Sequence, residues 1–216
     1  LTSKLHESIK HIIHQVGYKG GSSVIIDIKT GDILALTNYP EIESDVLFEG
    51  ADRETIEGYA SDPLNPYLNR AIEGAYTPGS VIKPFLAVAA LEEEIIGEWT
   101  NILSTGQITI PNPYFPAQPS IFRDWKAHGL VDMREAIAVS SNVYFYVIGG
   151  GYRDQEGLGI ERINRYSHLF GFGALTGIRL GAEVLGIVPN PEWKKKHFAD
   201  EEWRLGDTYH TSIGQY

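Results

Sequence analysis

The chain has 216 residues, of which 43% are hydrophobic and 21% are charged, a composition typical of a globular protein with a substantial core. Its net charge of -10, with no basic cluster beyond Lys194 to Lys196, argues against a nucleic-acid-binding protein, which needs a concentrated positive surface. The absence of cysteine excludes disulfide scaffolds, zinc knuckles and thiol catalysis.

No apolar run approaches the roughly 18 residues that a membrane-spanning helix needs. The chain begins at Leu1, with neither an initiator methionine nor a signal-like segment. We therefore expect a soluble piece of a longer protein.

The first third of the chain predicts a helix and a β-hairpin. Apolar residues at helical spacing predict an amphipathic helix from Leu1 to Val16, ended by Gly17. The next segment predicts a hairpin with strands at Ser23 to Ile28 and Ile33 to Thr37. A polar stretch follows, with one short helix around Arg53 to Tyr59.

The rest of the chain is predicted to be mainly helical. Helices are expected from Ser80 to Gly97, from Val131 to Ile148 and from Ile160 to Phe170, and a short strand from Thr105 to Ile110. The proline-rich stretch "PNPYFPAQPS" predicts an extended loop, and the chain from Gly181 onward predicts loops with one segment around Trp193. Nothing after Ile110 predicts a strand. Because a two-stranded hairpin is marginal alone, either the helices cover it or strands are missing.

The stretch "YTPGSVIKPF" places a serine at a predicted helix start and a lysine one turn later. Ser80 and Lys83 share one face of the helix, where the amine can reach the hydroxyl. The following helix is strongly apolar, so Lys83 is predicted to be buried, which lowers a lysine pKa from about 10.4 and provides a neutral base. A Ser-x-x-Lys pattern alone is usually structural, but this context favours a nucleophile and its base.

A second polar group, Ser140-Ser141-Asn142, interrupts the apolar run around it. These side chains would cost stability unless they are hydrogen-bonded. One interpretation is a polar notch packed against a loop; the other, favoured by the presence of Ser80 and Lys83, is a second catalytic motif.

Six stretches together resemble the transpeptidase domain of a class B penicillin-binding protein, most closely the elongation type. They are "GSSVIIDIKTGDILAL", "YLNRAIEGAYTPGSVIKPF", "DWKAHGLVDMREAIAVSSNVYFYVIGGG", "FGFGALTGI", "NPEWKKKHF" and "GDTYHTSIGQ". The resemblance implies an α/β (α+β type) domain of the serine β-lactamase and penicillin-binding-protein transpeptidase-like fold. The chain would be an incomplete example, with an N-terminal helix and β-hairpin plus a helical subdomain.

The resemblance also implies roles for single residues. Ser80 would be the nucleophile and Lys83 its base or proton shuttle, while Ser140 would relay the proton toward the leaving amine. Asn142 would bind the acyl-side amide of the substrate as well as the Lys83 amine, and the Ser80 amide would supply half of an oxyanion hole. Asp124 and Trp125 are expected to shape the adjoining loop and contribute to substrate binding.

One expected motif is absent. The family's Lys-Thr-Gly lies on a strand beyond the "SIGQ" segment, whereas Lys29-Thr30-Gly31 precedes the nucleophile and falls in the hairpin turn. We therefore interpret residues 1–216 as a single transpeptidase domain that lacks its C-terminal part. The chain alone is expected to be impaired.

The resemblance implies a peptidoglycan D,D-transpeptidase that cross-links stem peptides through a serine acyl-enzyme at D-Ala-D-Ala and is a target of β-lactams. No cofactor is expected. The expected partners are stem peptides, β-lactams, a SEDS-type glycosyltransferase and elongation-machinery proteins, with no nucleic acid. The expected location is the periplasmic face of the bacterial cytoplasmic membrane, with the anchor outside this chain.

Three alternatives stay open at this point. The enzyme could instead be a D,D-carboxypeptidase or serine β-lactamase, in which water takes the acyl group. It could also be a non-catalytic penicillin-binding sensor or scaffold. Finally, Asp124, His128 and Asp132, at i, i+4 and i+8, are a weak candidate for a zinc site, although no metal is expected.

Overall fold

The computed structural model describes residues 1–42, 44–48, 50–112, 115, 117–181, 183–199 and 201–216. The chain forms two compact units. The first unit comprises Leu1–Ala75 and Leu175–Leu185, and the second comprises Tyr76–Ala174 and Gly186–Tyr216. The interpretation of the chain as one transpeptidase domain remains a prediction. Within the described ranges, no helix combines the length and apolar character needed to cross a bilayer.

The first unit contains the predicted helix and hairpin. Its elements are α1 (Thr2–Val16), β1 (Gly21–Ile26), β2 (Ile33–Tyr39), α2 (Ser44–Phe48) and α3 (Arg53–Ser61). Strands β1 and β2 pair antiparallel. Helix α1 ends as predicted at Gly17, whose φ of 82° is the left-handed conformation that glycine adopts without strain.

The second unit carries the remaining elements. They are α4 (Lys83–Glu92), β3 (Ile102–Ser104), β4 (Gln107–Ile110), β5 (Ser120–Arg123), β6 (Gly129–Val131), α5 (Met133–Ala138), α6 (Asn142–Gly150), α7 (Gly159–Leu169), α8 (Pro191–His197) and α9 (Leu205–Ser212). Strand β3 pairs antiparallel with β6, and β4 pairs antiparallel with β5. Residues Val143 to Gly149 of α6 are all buried, so this helix forms the centre of the core.

Several predictions for the second unit are wrong in detail. Strands β5 and β6 lie after Ile110, where no strand was predicted, because each is too short to show an alternating pattern. The predicted helix from Val131 to Ile148 is instead two helices, α5 and α6, separated by a turn that contains Ser140. The helix predicted to reach Gly97 ends at Glu92. Part of the proline-rich loop, residues 113, 114 and 116, lies outside the described residues.

Helices α6 and α9 pack closely through two glycines at the end of α6. A β-carbon added at Gly149 would lie 2.4 Å from the Ser212 Cβ, and one added at Gly150 would lie 2.4 Å from the Tyr209 ring. Both distances are shorter than real Cβ contacts. The Tyr209 hydroxyl also donates a hydrogen bond to the Gly151 carbonyl at 2.6 Å. The glycines thus set the spacing between the two helices.

Candidate active site

Ser80 and Lys83 lie on a single tight turn that opens into α4. Gly79 has a φ of 64°, and residues Gly79–Ile82 form a 3₁₀ turn in which the Lys83 N–H donates to the Ser80 carbonyl. Pro84 occupies the first turn of α4, where its missing N–H costs nothing. Ser80 is exposed, whereas Lys83 is only 2% exposed. The predicted combination of an accessible hydroxyl and a buried amine one turn later is therefore present.

The Lys83 amine joins the two predicted motifs. It donates hydrogen bonds to the Ser140 carbonyl at 2.8 Å and to the Asn142 Oδ1 at 2.7 Å, and it lies 3.2 Å from the Ser140 Oγ. A neutral amine has two N–H donors and one lone pair. It can therefore donate to the two carbonyl oxygens and keep a lone pair that can accept a proton from a hydroxyl.

No hydrogen bond joins the Lys83 amine to the Ser80 hydroxyl in the part of the chain that the structure describes. Catalytic hydrogen bonds are often loose before substrate binds and tighten afterwards. The reach of the amine to Ser80, expected from the helical spacing, remains a prediction.

The surroundings of Lys83 lower the pKa of its amine. Burial lowers its pKa to about 8, because the charged form loses its hydration, and the negative charge of Asp124 opposes this shift only in part. The three hydrogen-bond partners of the amine in the described residues are uncharged oxygens. At pH 7 roughly one tenth of Lys83 is then neutral and can act as a base, far more than for an ordinary lysine.

The turn that presents Ser140 is strained. Ser140 has a φ of 54°, in the left-handed region that costs a non-glycine residue roughly 1–2 kcal/mol. The Ser141 hydroxyl accepts from the Tyr144 N–H and caps α6, so Asn142 becomes the first residue of the helix. This conformation directs both the Ser140 carbonyl and the Asn142 side chain toward Lys83.

Asp124 stabilises the turn between α5 and α6 through hydrogen bonds to its carboxylate. Its carboxylate is fully buried and accepts from the Ser141 hydroxyl at 2.8 Å and from the Val143 N–H at 2.9 Å. Burial acts to raise its pKa, but these donors and the N–H groups of Asn142 and Trp125 together lower it below its ordinary value. Asp124 therefore stays ionised at the N-terminus of α6, which the helix dipole favours.

Trp125 is 62% exposed, and its indole N–H donates to the Val139 carbonyl at 3.2 Å. It thus lies beside the turn between α5 and α6. The predicted contribution of Asp124 and Trp125 to substrate binding is untested, but their contacts agree with a role in shaping this loop.

The three residues of the weak zinc candidate do not form a metal-binding group. Across the described ranges, no set of three or more His, Asp or Glu side chains is arranged to hold an ion. His128 Nε2 lies 3.6 Å from the Asp124 carboxylate, whereas Asp132 caps α5 by accepting from the Glu135 N–H.

One residue of the site gave no signal in the sequence. Ser104, at the end of β3, is fully buried, and its hydroxyl lies 3.3 Å from the Ser141 Oγ and 3.4 Å from the Asp124 carboxylate. A single serine at the end of a three-residue strand has no pattern that would reveal this contact.

Comparisons with known proteins agree with the resemblance seen in the sequence. The model of the penicillin-binding protein transpeptidase domain matches residues 21–214. The peptidoglycan D,D-transpeptidase MrdA of Acinetobacter baumannii is 36% identical over 93% of this chain and 28% of its own length. The MrdA protein of Escherichia coli K12 is 32% identical over 89% of this chain and 29% of its own length. The chain thus spans less than a third of these relatives.

Solved structures show the same relationship. Penicillin-binding protein 2 (PBP2) from Helicobacter pylori is 33% identical, with a TM-score of 0.79 over 96% of this chain and 37% of that protein. Pseudomonas aeruginosa PBP2, in complex with WCK 5153, is 28% identical, with a TM-score of 0.80 over 99% of this chain and 46% of that protein. The predicted fold is therefore confirmed, and the chain belongs to the penicillin-binding protein transpeptidase family.

Proposed function

We propose that the protein carrying this chain is a peptidoglycan D,D-transpeptidase that acts through a serine acyl-enzyme. The observation that carries the proposal is the buried Lys83 amine, which is held by Ser140 and Asn142 one helical turn from the exposed Ser80. The names of its relatives support the reaction type, since several are called peptidoglycan D,D-transpeptidases.

In the first half-reaction, the Ser80 Oγ attacks the carbonyl carbon between the two D-alanines of a stem peptide, and the Ser80 proton passes to the neutral Lys83 amine. The negative charge that develops on the carbonyl oxygen is stabilised by the Ser80 backbone N–H. The C–N bond then breaks, and the terminal D-alanine leaves with a proton that Ser140 relays from Lys83.

In the second half-reaction, an amine of a neighbouring stem peptide attacks the acyl-enzyme and loses its proton through the same relay, and Ser80 regains its hydroxyl proton. Asn142 has two roles in this scheme. Its Oδ1 accepts from the Lys83 amine, while its side-chain amide group can bind the acyl-side amide of the substrate. No step requires a cofactor. β-Lactams would acylate Ser80 because their strained amide replaces the D-Ala-D-Ala bond.

Intact-mass spectrometry with a penicillin tests the proposal, using the full-length protein and its Ser80→Ala and Lys83→Ala variants. We expect one added penicillin on the parent protein, none on Ser80→Ala and strongly slowed addition on Lys83→Ala. An adduct that persists in Ser80→Ala would refute the assignment of the nucleophile.

The lifetime of the penicillin adduct, together with an assay of stem-peptide cross-linking, separates the alternative functions. Rapid loss of the adduct would favour a hydrolase, either a D,D-carboxypeptidase or a β-lactamase. A stable adduct, together with no cross-linked product from stem peptides, would favour a sensor or scaffold.

The proposed partners are stem peptides, a SEDS-type glycosyltransferase and proteins of the elongation machinery. Two solved relatives support this class of assembly: one is a complex of PBP2 with MreC from Helicobacter pylori, and the other is described as part of a peptidoglycan synthase complex. The substrate implies that the domain works on the periplasmic side of the cytoplasmic membrane. Affinity purification of the full-length protein from membranes tests the proposed partners.

A further inference from the structure

Gly214, just after α9, lies directly against the backbone that precedes Ser80. The Gly79 N–H donates a hydrogen bond of 2.8 Å to the Gly214 carbonyl. A β-carbon added at Gly214 would lie 2.3 Å from the Gly79 oxygen and 2.9 Å from the Gly79 carbonyl carbon, closer than real Cβ atoms come to backbone. Gly214 also has a φ of 67°, which disfavours any other residue.

The contact falls on the peptide unit that carries the Ser80 N–H. The carbonyl carbon and oxygen of Gly79 share one rigid plane with the nitrogen and hydrogen of Ser80. A displacement of the Gly79 oxygen therefore rotates the Ser80 N–H. In the proposed reaction this N–H donates to the developing oxyanion, and the same residue carries the attacking hydroxyl.

Gly214 is itself held by a well-packed element. Its N–H donates to the Thr211 carbonyl at 3.0 Å, and the preceding Ile213 is only 2% exposed. Helix α9 is fixed against α6 through Tyr209, whose hydroxyl bonds the Gly151 carbonyl. The well-packed end of α9 thus holds the turn that begins α4 in place.

We infer that Gly214 is a positioning residue for the nucleophile, because it sets the plane of the Gly79–Ser80 peptide from the end of α9. The inference rests on the proposed function, in which Ser80 is the nucleophile and its N–H an oxyanion donor. Gly214 lies outside both polar motifs. We expect Gly214→Ala to slow acylation by more than its loss of stability can explain.

The test compares Gly214→Ala with Gly159→Ala in the full-length protein. Gly159 has nearly the same backbone angle, with a φ of 70°, but an added β-carbon there meets nothing within 4 Å. Both variants bear the cost of an alanine in the left-handed region, and Gly214→Ala also bears the clash with the Gly79 backbone, so its melting temperature should fall further. Only Gly214→Ala displaces the Gly79–Ser80 peptide.

The readout is the reaction with a penicillin, separated into the dissociation constant of the first complex and the acylation rate constant. For Gly214→Ala we expect the rate constant to fall about 100-fold, a loss typical of a misplaced reacting group, and the dissociation constant to stay within about threefold. Gly159→Ala should keep both. Equal acylation rate constants in the two variants would overturn the inference.

Hydrogen exchange at the Gly79 amide provides a readout that does not depend on acylation. Gly214→Ala should accelerate exchange at this amide relative to Gly159→Ala, because its bond to the Gly214 carbonyl is lost. If the parent protein is not acylated at all, the proposed function fails, and the exchange data alone decide whether Gly214 holds this peptide.

If Gly214→Ala does not fold, Tyr209→Phe replaces it. This variant removes the bond from α9 to Gly151 without adding an atom. It should slow acylation and accelerate exchange at the Gly79 amide, which bonds the Gly214 carbonyl. Unchanged exchange there would overturn the inference.

Discussion

The second unit contains two buried lysines whose surroundings shift their pKa values in opposite directions. Lys83 is 2% exposed, its hydrogen-bond partners in the described part of the chain are uncharged oxygens of Ser140 and Asn142, and its amine lies 5.5 Å from the centre of the Phe145 ring. Lys194 is 6% exposed, and its amine lies 2.7 Å from the Asp207 carboxylate and 3.5 Å from that of Glu201. Burial acts to lower the pKa of both amines, but at Lys194 the hydrogen bond and charge of Asp207 reverse the shift.

The comparison shows that burial alone does not make a lysine a base. A carboxylate in direct contact keeps Lys194 charged and gives it a structural role between α8 and α9. The carboxylate whose charge acts on Lys83, that of Asp124, instead accepts hydrogen bonds from Ser141 and Val143. The neutral partners of Lys83 are therefore the feature that makes it available for proton transfer.

Replacing each lysine by arginine gives the sharpest test of this difference. Lys83→Arg should slow acylation by penicillin by at least about 100-fold, because arginine stays protonated and cannot serve as the base. Lys194→Arg should leave the acylation rate constant within about threefold, since a charged partner for Asp207 is kept. Equal losses in the two variants would contradict the comparison.

The pH dependence of acylation should report Lys83. The neutral amine predominates above its pKa of about 8, so the acylation rate constant should rise about tenfold per pH unit below that value and level off above it. Stopped-flow measurements with a chromogenic cephalosporin would check this. A profile that is flat between pH 6 and 9 would rule out Lys83 as the titrating base.

The free energy of unfolding should also respond to pH with opposite signs at the two lysines. The folded-state pKa of Lys83 lies below the ordinary value of 10.5, so the unfolded chain binds more protons between about pH 8 and 10.5, and stability rises over that range. The pKa of Lys194 is raised, so its contribution is complete below 10.5 and is lost as pH rises further.

Removing the charge at Lys194 should destabilise the protein. Lys194→Met leaves the Asp207 carboxylate without its cation and should lower the free energy of unfolding by about 2 kcal/mol, whereas Lys83→Met should cost less because no carboxylate loses a direct partner. Urea unfolding measures both. As a control, adding Asp207→Asn to Lys194→Met should recover most of the loss, because it removes the unpaired charge and keeps an oxygen for the Arg204 N–H at the start of α9. A larger loss at Lys83 than at Lys194 would contradict this prediction.

The smallest expected effect concerns the strained turn beside Lys83. Ser140→Gly should be about 1 kcal/mol more stable than Ser140→Ala, because only glycine adopts a φ of 54° without strain. Both variants lack the hydroxyl, so both should slow acylation. Thermal unfolding and acylation kinetics on the pair separate strain from chemistry, and equal stabilities would show that the turn stores no strain.

The sequence predicted the local parts of this structure well. The helix ended by Gly17, the hairpin and the burial of Lys83 all depend on patterns within one or two turns of chain. The strand predicted at Ser23 to Ile28 occupies Gly21–Ile26, because Asp27 instead accepts the Lys29 N–H in the turn.

The site was predicted only in part, because much of it depends on contacts between distant residues. The meeting of Lys83 with Ser140 and Asn142 was expected from the family resemblance rather than from spacing. The break between α5 and α6 depends on Asp124, whose carboxylate competes for the Ser141 hydroxyl and the Val143 N–H. Neither this competition nor the contact between Gly214 and Gly79 leaves a periodic signal in the sequence.

The close packing of α6 on α9 limits how this protein can be engineered. Replacing a helical glycine by alanine is an ordinary route to a thermostable variant, worth about 0.4–1 kcal/mol where the backbone allows it. At Gly149 and Gly150 a single methyl group would collide with Ser212 and Tyr209. A stabilisation campaign guided by helix propensity would choose these two positions early, and both should be excluded from any such library.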